Sequence, residues 1–517
     1  MPAFHAAAMP ANEAKVPAGD PRVWGVSCLL LLAVGAAYSN TFGVPFLLDD
    51  PLAILENPSV THLGSPGHGA FPTTADRPLL NLSFALNYAW TGRAVWSYHL
   101  VNLAVHALAG LTLFGLLRRT LLMRAEPDCV RRAVLNRWQE AALPISGLIA
   151  AFWLLHPVQT EAVTYISQRG ESLMGCFYLL TLYGAVRAET AVRPAVWLGL
   201  SVAACGCGMA TKEVMVTAPV MIGLFDWAVL GRSVRRMARE RGGYYLGLAA
   251  SWLILAWLLR GGALAAQHRA GFGLGETWIT YAGREVQAVV RYVGLCLWPR
   301  PLVFDYGAEY PSVTGGQWLP FAAALIVLAA AAGFGWRRSR GIGFLASAFF
   351  ILLAPTSSVV PILHDPMRES RLYLPLAAVL TLVVLGLLSG AGRRILPLLV
   401  ALAFGCAVLT YERNEDYQSP LGLWQDTVAK QPHSSRSQNN LGVELTKIPG
   451  EEAAALAHFQ AAVRLKPESA EFRYNLAAAY FRVGRRDEAI AELEAAVRLR
   501  PDYAEARRKL IELGTGR

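Results

Sequence analysis

Of 517 residues, 54% are hydrophobic and only 16% charged, against roughly 25% charged in an ordinary soluble domain. With a mean hydropathy of +0.35, the apolar residues outnumber what one soluble core absorbs, which excludes a disordered chain and a purely cytosolic enzyme. The formal charge of +10 sits largely in short Arg-rich stretches between apolar runs, the pattern of cytoplasmic loops rather than of a nucleic-acid face.

In chain order, residues 1–22 form an Ala/Pro-rich segment expected in the cytoplasm, ending in Arg22. The first apolar run is too long for a signal-peptide core and is expected to stay as a spanning helix. Runs long enough to span recur at 23–42, 100–121, 142–157, 171–190, 194–211, 213–230, 243–260, 317–335, 341–361, 372–390 and 395–411. A weaker run at 285–300 is interrupted by Arg291 and closed by Trp298-Pro299-Arg300-Pro301. Leaving it as an interfacial segment keeps Arg337, Arg338, Arg340, Arg393 and Arg394 on the side of Arg118–Arg137, Arg187 and Arg232–Arg241. The positive-inside rule therefore predicts 11 crossings and an all-α, multi-pass transmembrane bundle over 23–411. Of the seven Cys, six lie inside apolar runs, so no disulfide framework or zinc site is expected.

Residues 43–99 make a connection too long for a linker and predict a functional loop. It carries Asp49-Asp50 after an apolar stretch, then Arg77-Pro78-Leu79 and the aromatic residues Phe84, Tyr88, Trp90, Trp96 and Tyr98. On these residues alone it reads either as a solvated acidic turn beside an interfacial anchor or as a reacting centre. Further polar groups fall on the same predicted side: His156, Glu161, Arg169, Glu171, Lys212, Glu213, and Arg368 and Arg371 before Leu372-Tyr373-Leu374-Pro375. Ionisable residues at a membrane face point to function by default. His99 and His106, seven apart with no further ligand near in sequence, read as packing residues.

Beyond 411 the composition turns charged and Ala-rich. A linker and partial repeat helix at 412–433 precede 434–517, where Ala455–Pro467 recurs as Ala489–Pro501, 34 positions later. That period predicts a short tetratricopeptide-repeat α-solenoid, placed by 11 crossings on the periplasmic or outer side.

Several motifs occur together: Phe46–Pro58 around Asp49-Asp50, Arg77-Pro78-Leu79, Asn87-Tyr88, Tyr98-His99-Leu100-Val101-Asn102, and His156-Pro157-Val158-Gln159-Thr160-Glu161-Ala162-Val163. In this order, with Lys212-Glu213, Leu372-Tyr373-Leu374-Pro375 and the repeats, the chain resembles the transmembrane and tetratricopeptide-repeat-containing family. That family comprises O-mannosyltransferases and bacterial relatives of GT-C glycosyltransferase architecture. The resemblance implies transfer of a sugar from a polyprenyl-phosphate donor to a hydroxyl acceptor, a protein Ser or Thr, with inversion at the anomeric carbon. It gives Asp49 and Asp50 the catalytic role, one of them as general base. Arg77, Arg169, Lys212 and Arg371 are the implied donor-phosphate ligands, with His156, Glu161, Glu171, Glu213 and Tyr373 in support. No metal ligands are assigned, although a divalent metal stays open. The chain departs from the family at Gln159, where a second His often stands, and in having about two repeats.

The expected location is the cell (inner) membrane, with the repeats contacting an acceptor or partner protein and no nucleic acid involved. The alternative is a non-enzymatic membrane scaffold that presents the repeats to partners. A transporter is disfavoured, since the spans show no internal repeat.

Overall fold

The computed structural model describes residues 20–62, 77–123, 139–266, 277–308, 310, 316–357 and 365–514. Arg124, Arg131, Arg132 and Arg137, and most of the segment 1–22, lie outside them. Among the described residues the chain is helical, with no β-strand.

Every expected apolar run contains a helix among its described residues. The first half gives α1 (Pro21–Ala37), α2 (Pro58–Thr61), α3 (Pro78–Thr91), α4 (Val95–Leu122), α5 (Ala142–Leu155), α6 (Thr160–Thr164), α7 (Arg169–Arg187), α8 (Pro194–Met209), α9 (Ala218–Ala228) and α10 (Val234–Ala266). The second half of the membrane region gives α11 (Trp278–Leu297), α12 (Leu319–Arg338), α13 (Arg340–Leu353), α14 (Pro375–Ala391) and α15 (Leu396–Glu415). Proline sits in the first turn of α1, α3, α8 and α14, where its missing N–H costs nothing.

Among the described residues, four helices are long and apolar enough to cross a membrane, or five if the pair Ala142–Leu155 and Pro157–Thr164, bent by 50°, is one span. One of the four is the 41-residue stretch Pro375–Glu415, about twice the length needed for a ~30 Å hydrocarbon core. It breaks at Gly392, whose φ of 66° is outside the helical region, with Arg393 and Arg394 in the break. α1, α8 and α13 are shorter apolar helices. The chain is thus a membrane protein, and its lipid-type surface shows in exposed Leu32, Leu253, Trp257, Ile326, Val327 and Phe404.

α5 is apolar nearly all round and buried from Ile145 to Ala150 and Phe152 to Leu155, as a central helix must be. α1, α4, α14 and α15 pack around it, and α7 packs on α4 and α8. The two ends of this bundle differ in charge. At one end Arg232 and Arg241 bridge Glu189 and Asp226, Arg340 lies over the Trp227 ring, and Arg393 pairs with Glu140. Asp49-Asp50 lie at the other. α11 buries one stripe, Tyr281, Ala288, Val289, Tyr292, Leu295 and Cys296, and makes its polar contacts at the acidic end.

The carboxyl-terminal helices are α16 (Pro420–Lys430), α17 (Ser435–Leu445), α18 (Glu452–Leu465), α19 (Ala470–Arg482), α20 (Arg486–Leu499) and α21 (Ala504–Gly514). α17/α18 and α19/α20 are the two repeats. Gly442 lets α17 close on α18, since a Cβ there would stand 2.9 Å from the Phe459 ring. A common apolar cluster joins this region to the rest: Val44 and Leu47 of the long loop, Tyr165, Phe304, Tyr417, Trp424, Leu441 and Phe459. The repeats are therefore packed on the loop that carries the acidic pair.

Candidate active site

The acidic pair sits on a tight turn. Leu48 adopts φ 35°, a left-handed conformation that costs a non-glycine residue on the order of 1–3 kcal/mol. The Asp50 side chain holds this turn. One oxygen accepts from the Leu47 backbone N–H at 2.9 Å, and the other accepts from the Ser167 N–H at 2.7 Å, so both are occupied. Asp50 is fully buried, and burial pushes its carboxyl up to about 7 against the pull of those two N–H groups.

Asp49 is different. It is half-buried, its backbone N–H donates to the Tyr165 hydroxyl at 3.0 Å, and among the described residues no hydrogen bond holds its side chain. Its charge is one of several that act on Arg368. Arg368 pairs through Nε with Glu161 at 3.6 Å and with Asp365 at 3.9 Å, and its side chain is 15% exposed. Burial opposes its charge, but Asp365, Glu161, Tyr165 and Asp49 outweigh that and hold Arg368 protonated above the usual arginine range.

The segment carrying Arg368 is fixed from three directions. Its backbone N–H donates to the Tyr292 hydroxyl at 2.9 Å, and the Ser370 N–H donates to Glu161 at 2.8 Å. Glu369 points inward and accepts from the Val303 N–H at 2.6 Å and the Tyr306 hydroxyl at 2.8 Å. Burial pushes the Glu369 carboxyl up to about 7.

The other expected residues fall into two groups. A second ionic cluster joins Arg77 to both carboxylate oxygens of Glu213 (3.3 and 3.2 Å) and Lys212 to Glu171 at 2.5 Å. Burial opposes ionisation of Glu213, but Arg77 and Lys212 prevail and hold its carboxyl down to about 2. Arg77 and Lys212 keep 30% and 12% of their side chains exposed. Glu171 acts electrostatically on Glu161, so the two clusters are neighbours.

Arg169 and Arg371 are engaged by the protein itself. Arg169 is fully buried and donates to Asn102 (2.6 Å), Asn87 (2.8 Å), the Tyr98 carbonyl (3.1 Å) and Ser83, with its guanidinium over the Phe84 ring. It ties α3 and α4 to the start of α7 and has no donor left for a phosphate, which corrects the expected role. Arg371 donates to the carbonyls of Pro366 (2.9 Å) and Asp365 and pairs with Glu285 at 3.9 Å, with 7% of its side chain exposed. His156 is buried and caps the turn after α5 by accepting from the Val158 N–H. Tyr373 is a packing hub: its hydroxyl meets His106 at 3.0 Å, its carbonyl accepts from Trp153 at 2.8 Å, and its ring fills the space beside Gly175. His99 bonds the Val44 carbonyl at 2.9 Å, a structural role like that of His106.

A tetratricopeptide-repeat model matches residues 450–511. The chain is similar to protein O-mannosyl-transferase Tmtc2 of Drosophila melanogaster, 33% identical over 39% of this chain and 21% of that one. It is also similar to human TMTC2, 32% identical over 40% of this chain and 24% of that one. Mouse protein O-mannosyl-transferase TMTC4 aligns over 86% of this chain and 67% of its own length at 25% identity. The chain is a homologue of the transmembrane and tetratricopeptide-repeat-containing proteins. It spans 21% and 34% of the two Drosophila members of that family that it matches, Tmtc2 and Tmtc1. Among solved structures, ArnT of Cupriavidus metallidurans bound to undecaprenyl phosphate aligns over 92% of this chain and 80% of its own, with TM-score 0.40 and 15% identity. A likeness of that size adds nothing to the reading of the site.

Within this homologue of the family, three site residues had no distinguishing sequence signal: Asp365, Tyr165 and Arg436 of α17. Arg368 and Arg371 stand three residues apart before the same motif and look equivalent in sequence. Only packing separates them, because Arg371 turns to Glu285 on α11 and Arg368 turns to Glu161 on α6.

Proposed function

We propose that this protein is a membrane glycosyltransferase that moves a sugar from a polyprenyl-phosphate donor to a hydroxyl of an acceptor protein, at the membrane face opposite the arginine-rich end. The observation that carries the reading is the division of labour in the acidic pair: Asp50 is fixed by two backbone N–H groups, while among the described residues no hydrogen bond holds the Asp49 carboxylate, whose charge contributes to keeping Arg368 protonated. The names of the relatives point the same way.

In the proposed reaction Asp49 takes the proton from the acceptor hydroxyl as its oxygen attacks the anomeric carbon. The bond from that carbon to the phosphate oxygen breaks, and its electron pair leaves with the polyprenyl phosphate. The charge that develops there needs a cation, and Arg368, with its ion pairs to Glu161 and Asp365, is the proposed ligand. Arg77 and Lys212, the half-buried cations of the second cluster, flank the donor in this reading. The proposed unit comprises the bundle 23–411 with its loop 43–99, the connection 412–433 and the repeats 434–517.

The test is transfer of labelled sugar from a polyprenyl-phosphate donor in proteoliposomes. Arg368→Met is expected to lower kcat/KM by about a hundredfold or more. Undiminished transfer by Asp49→Asn and Arg368→Met would remove this mechanism, and absence of transfer with repeats that still capture partners would favour the scaffold.

A further inference from the structure

The repeat region reaches the proposed donor site through one side chain. Arg436, in the first turn of α17, donates to both oxygens of Asp305, on the segment after α11, one of these bonds at 2.6 Å. The same guanidinium donates to Oδ1 of Asp365 at 2.6 Å. The other oxygen of Asp365 faces Nε of Arg368, but at 3.9 Å, the limit of an ion pair. One carboxylate thus lies between two arginines, tightly bonded to the one from the repeats and held off the other, Arg368. Asp305 is itself fixed by accepting from the Gly307 N–H at 2.7 Å, so the clamp is anchored at its far end.

We propose that Arg436 is a positioning residue for the donor phosphate: by binding Asp365, it keeps that carboxylate from closing on Arg368 and competing with the phosphate. The proposal rests on the reading of Arg368 as phosphate ligand. Its physical basis is that charge-assisted, forked arginine bonds are short, directional and strong, whereas a carboxylate left unpaired beside a buried arginine is drawn onto it. Without Arg436, Asp365 has Arg368 as its nearest remaining cation and satisfies it internally. The donor site is then complete only when the repeats are docked, which couples the two regions through a chain of three side chains.

Burial supports this assignment. Only 28% of the Arg436 side chain and 2% of that of Asp305 are exposed, so this clamp is shielded from the solvent screening that weakens surface pairs. A second contact docks the helix that leads into the repeats without touching Asp365: Lys430 on α16 donates to the Leu302 carbonyl at 2.9 Å and pairs with Asp426 at 2.7 Å. It provides the control for a role limited to docking.

The experiment measures binding of a fluorophore-labelled polyprenyl phosphate to the full-length protein in nanodiscs. Arg436→Met is expected to weaken binding about tenfold, and adding Asp365→Asn to it is expected to restore binding to within about threefold of wild type. Rescue by neutralising the Asp365 carboxylate as well is not what a merely structural Arg436 would give. Lys430→Met is expected to leave binding unchanged. Arg436→Lys, which keeps the charge but not the fork, is expected to fall between wild type and Arg436→Met, and serves if the methionine variant does not fold. Binding by Arg436→Met equal to wild type, no recovery in the double variant, or an equal loss in Lys430→Met overturns the proposal. Wild-type protein that binds no probe removes the donor reading as well, whereas wild-type binding with an unaltered Arg436→Met removes this inference alone.

Discussion

Asp50 and Ser167, 117 residues apart in the chain, are joined by a hydrogen bond of 2.7 Å from the Ser167 N–H to the Asp50 carboxylate. This bond fastens the long first loop to the connection between α6 and α7 and leaves the neighbouring Asp49 carboxylate as the open member of the pair. Two acidic residues side by side thus have separate tasks, one holding the turn and one with its carboxylate left free of the turn's hydrogen bonds.

Asp49→Asn and Asp50→Asn are accordingly expected to fail in different ways. The first removes the proposed base and is expected to lower turnover by about 10²- to 10⁴-fold with the unfolding temperature unchanged. The second places an amide donor against the N–H of Leu47 or Ser167 and is expected to cost about 1–3 kcal/mol of stability. Thermal unfolding beside transfer assays of both variants checks the split.

Stability should depend on pH through two windows. Asp50 and Glu369 are raised by burial to about 7, so the native state binds protons that the unfolded state has released. Their contribution is fully present below about pH 4 and is lost as pH rises through about 7. Glu213, held down to about 2 by Arg77 and Lys212, has the opposite sign: its contribution is present above about pH 4.5 and is lost as pH falls toward 2. From these groups a maximum near about pH 4–5 is expected in unfolding scans at constant ionic strength. Glu369→Gln keeps an acceptor for the Val303 N–H and is expected to flatten the upper window by an amount on the order of 3 kcal/mol.

Arg169→Lys is expected to destabilise the protein by about 3 kcal/mol or more, because a single ammonium cannot reach Asn102, Asn87, Ser83 and the Tyr98 carbonyl together. Donor binding by whatever fraction stays folded is expected to match wild type, since Arg169 offers the phosphate nothing. A loss of donor affinity at full stability would contradict this placement.

Gly175→Ala tests how closely α7 approaches Tyr373. A Cβ there would lie 2.5 Å from the ring, and the ring is held by the bonds of Tyr373 to His106 and Trp153. The expected cost is about 1–3 kcal/mol, read as a lowered unfolding temperature.

Much was legible from the sequence. Each apolar run from 23–42 to 395–411 is occupied by a helix, and the 34-residue period gave two helix pairs, α17/α18 and α19/α20. The segment 285–300 is helical from Trp278 and lies with the acidic end through Glu285 and Tyr292. The acidic pair and several of its companions were also found as residue types at one end of the bundle. The roles among them were not: Arg169 and Arg371, expected at a phosphate, are bonded to protein carbonyls and side chains, and Arg368 is the arginine that pairs with Glu161 and Asp365 and is influenced by Asp49.

The sequence by itself determined the helical membrane bundle, its charge-asymmetric ends, the repeats and the presence of a carboxylate pair. These depend on hydropathy, loop charge and period, which are properties of short windows of chain. The tertiary structure decided which carboxylate is open, which arginines are already paired, and that Arg436 of the repeats reaches Asp305, 131 residues away. A hydrogen-bonding group is used or free according to which distant segment packs against it, and burial makes that pairing obligatory. Neither window nor period carries that information.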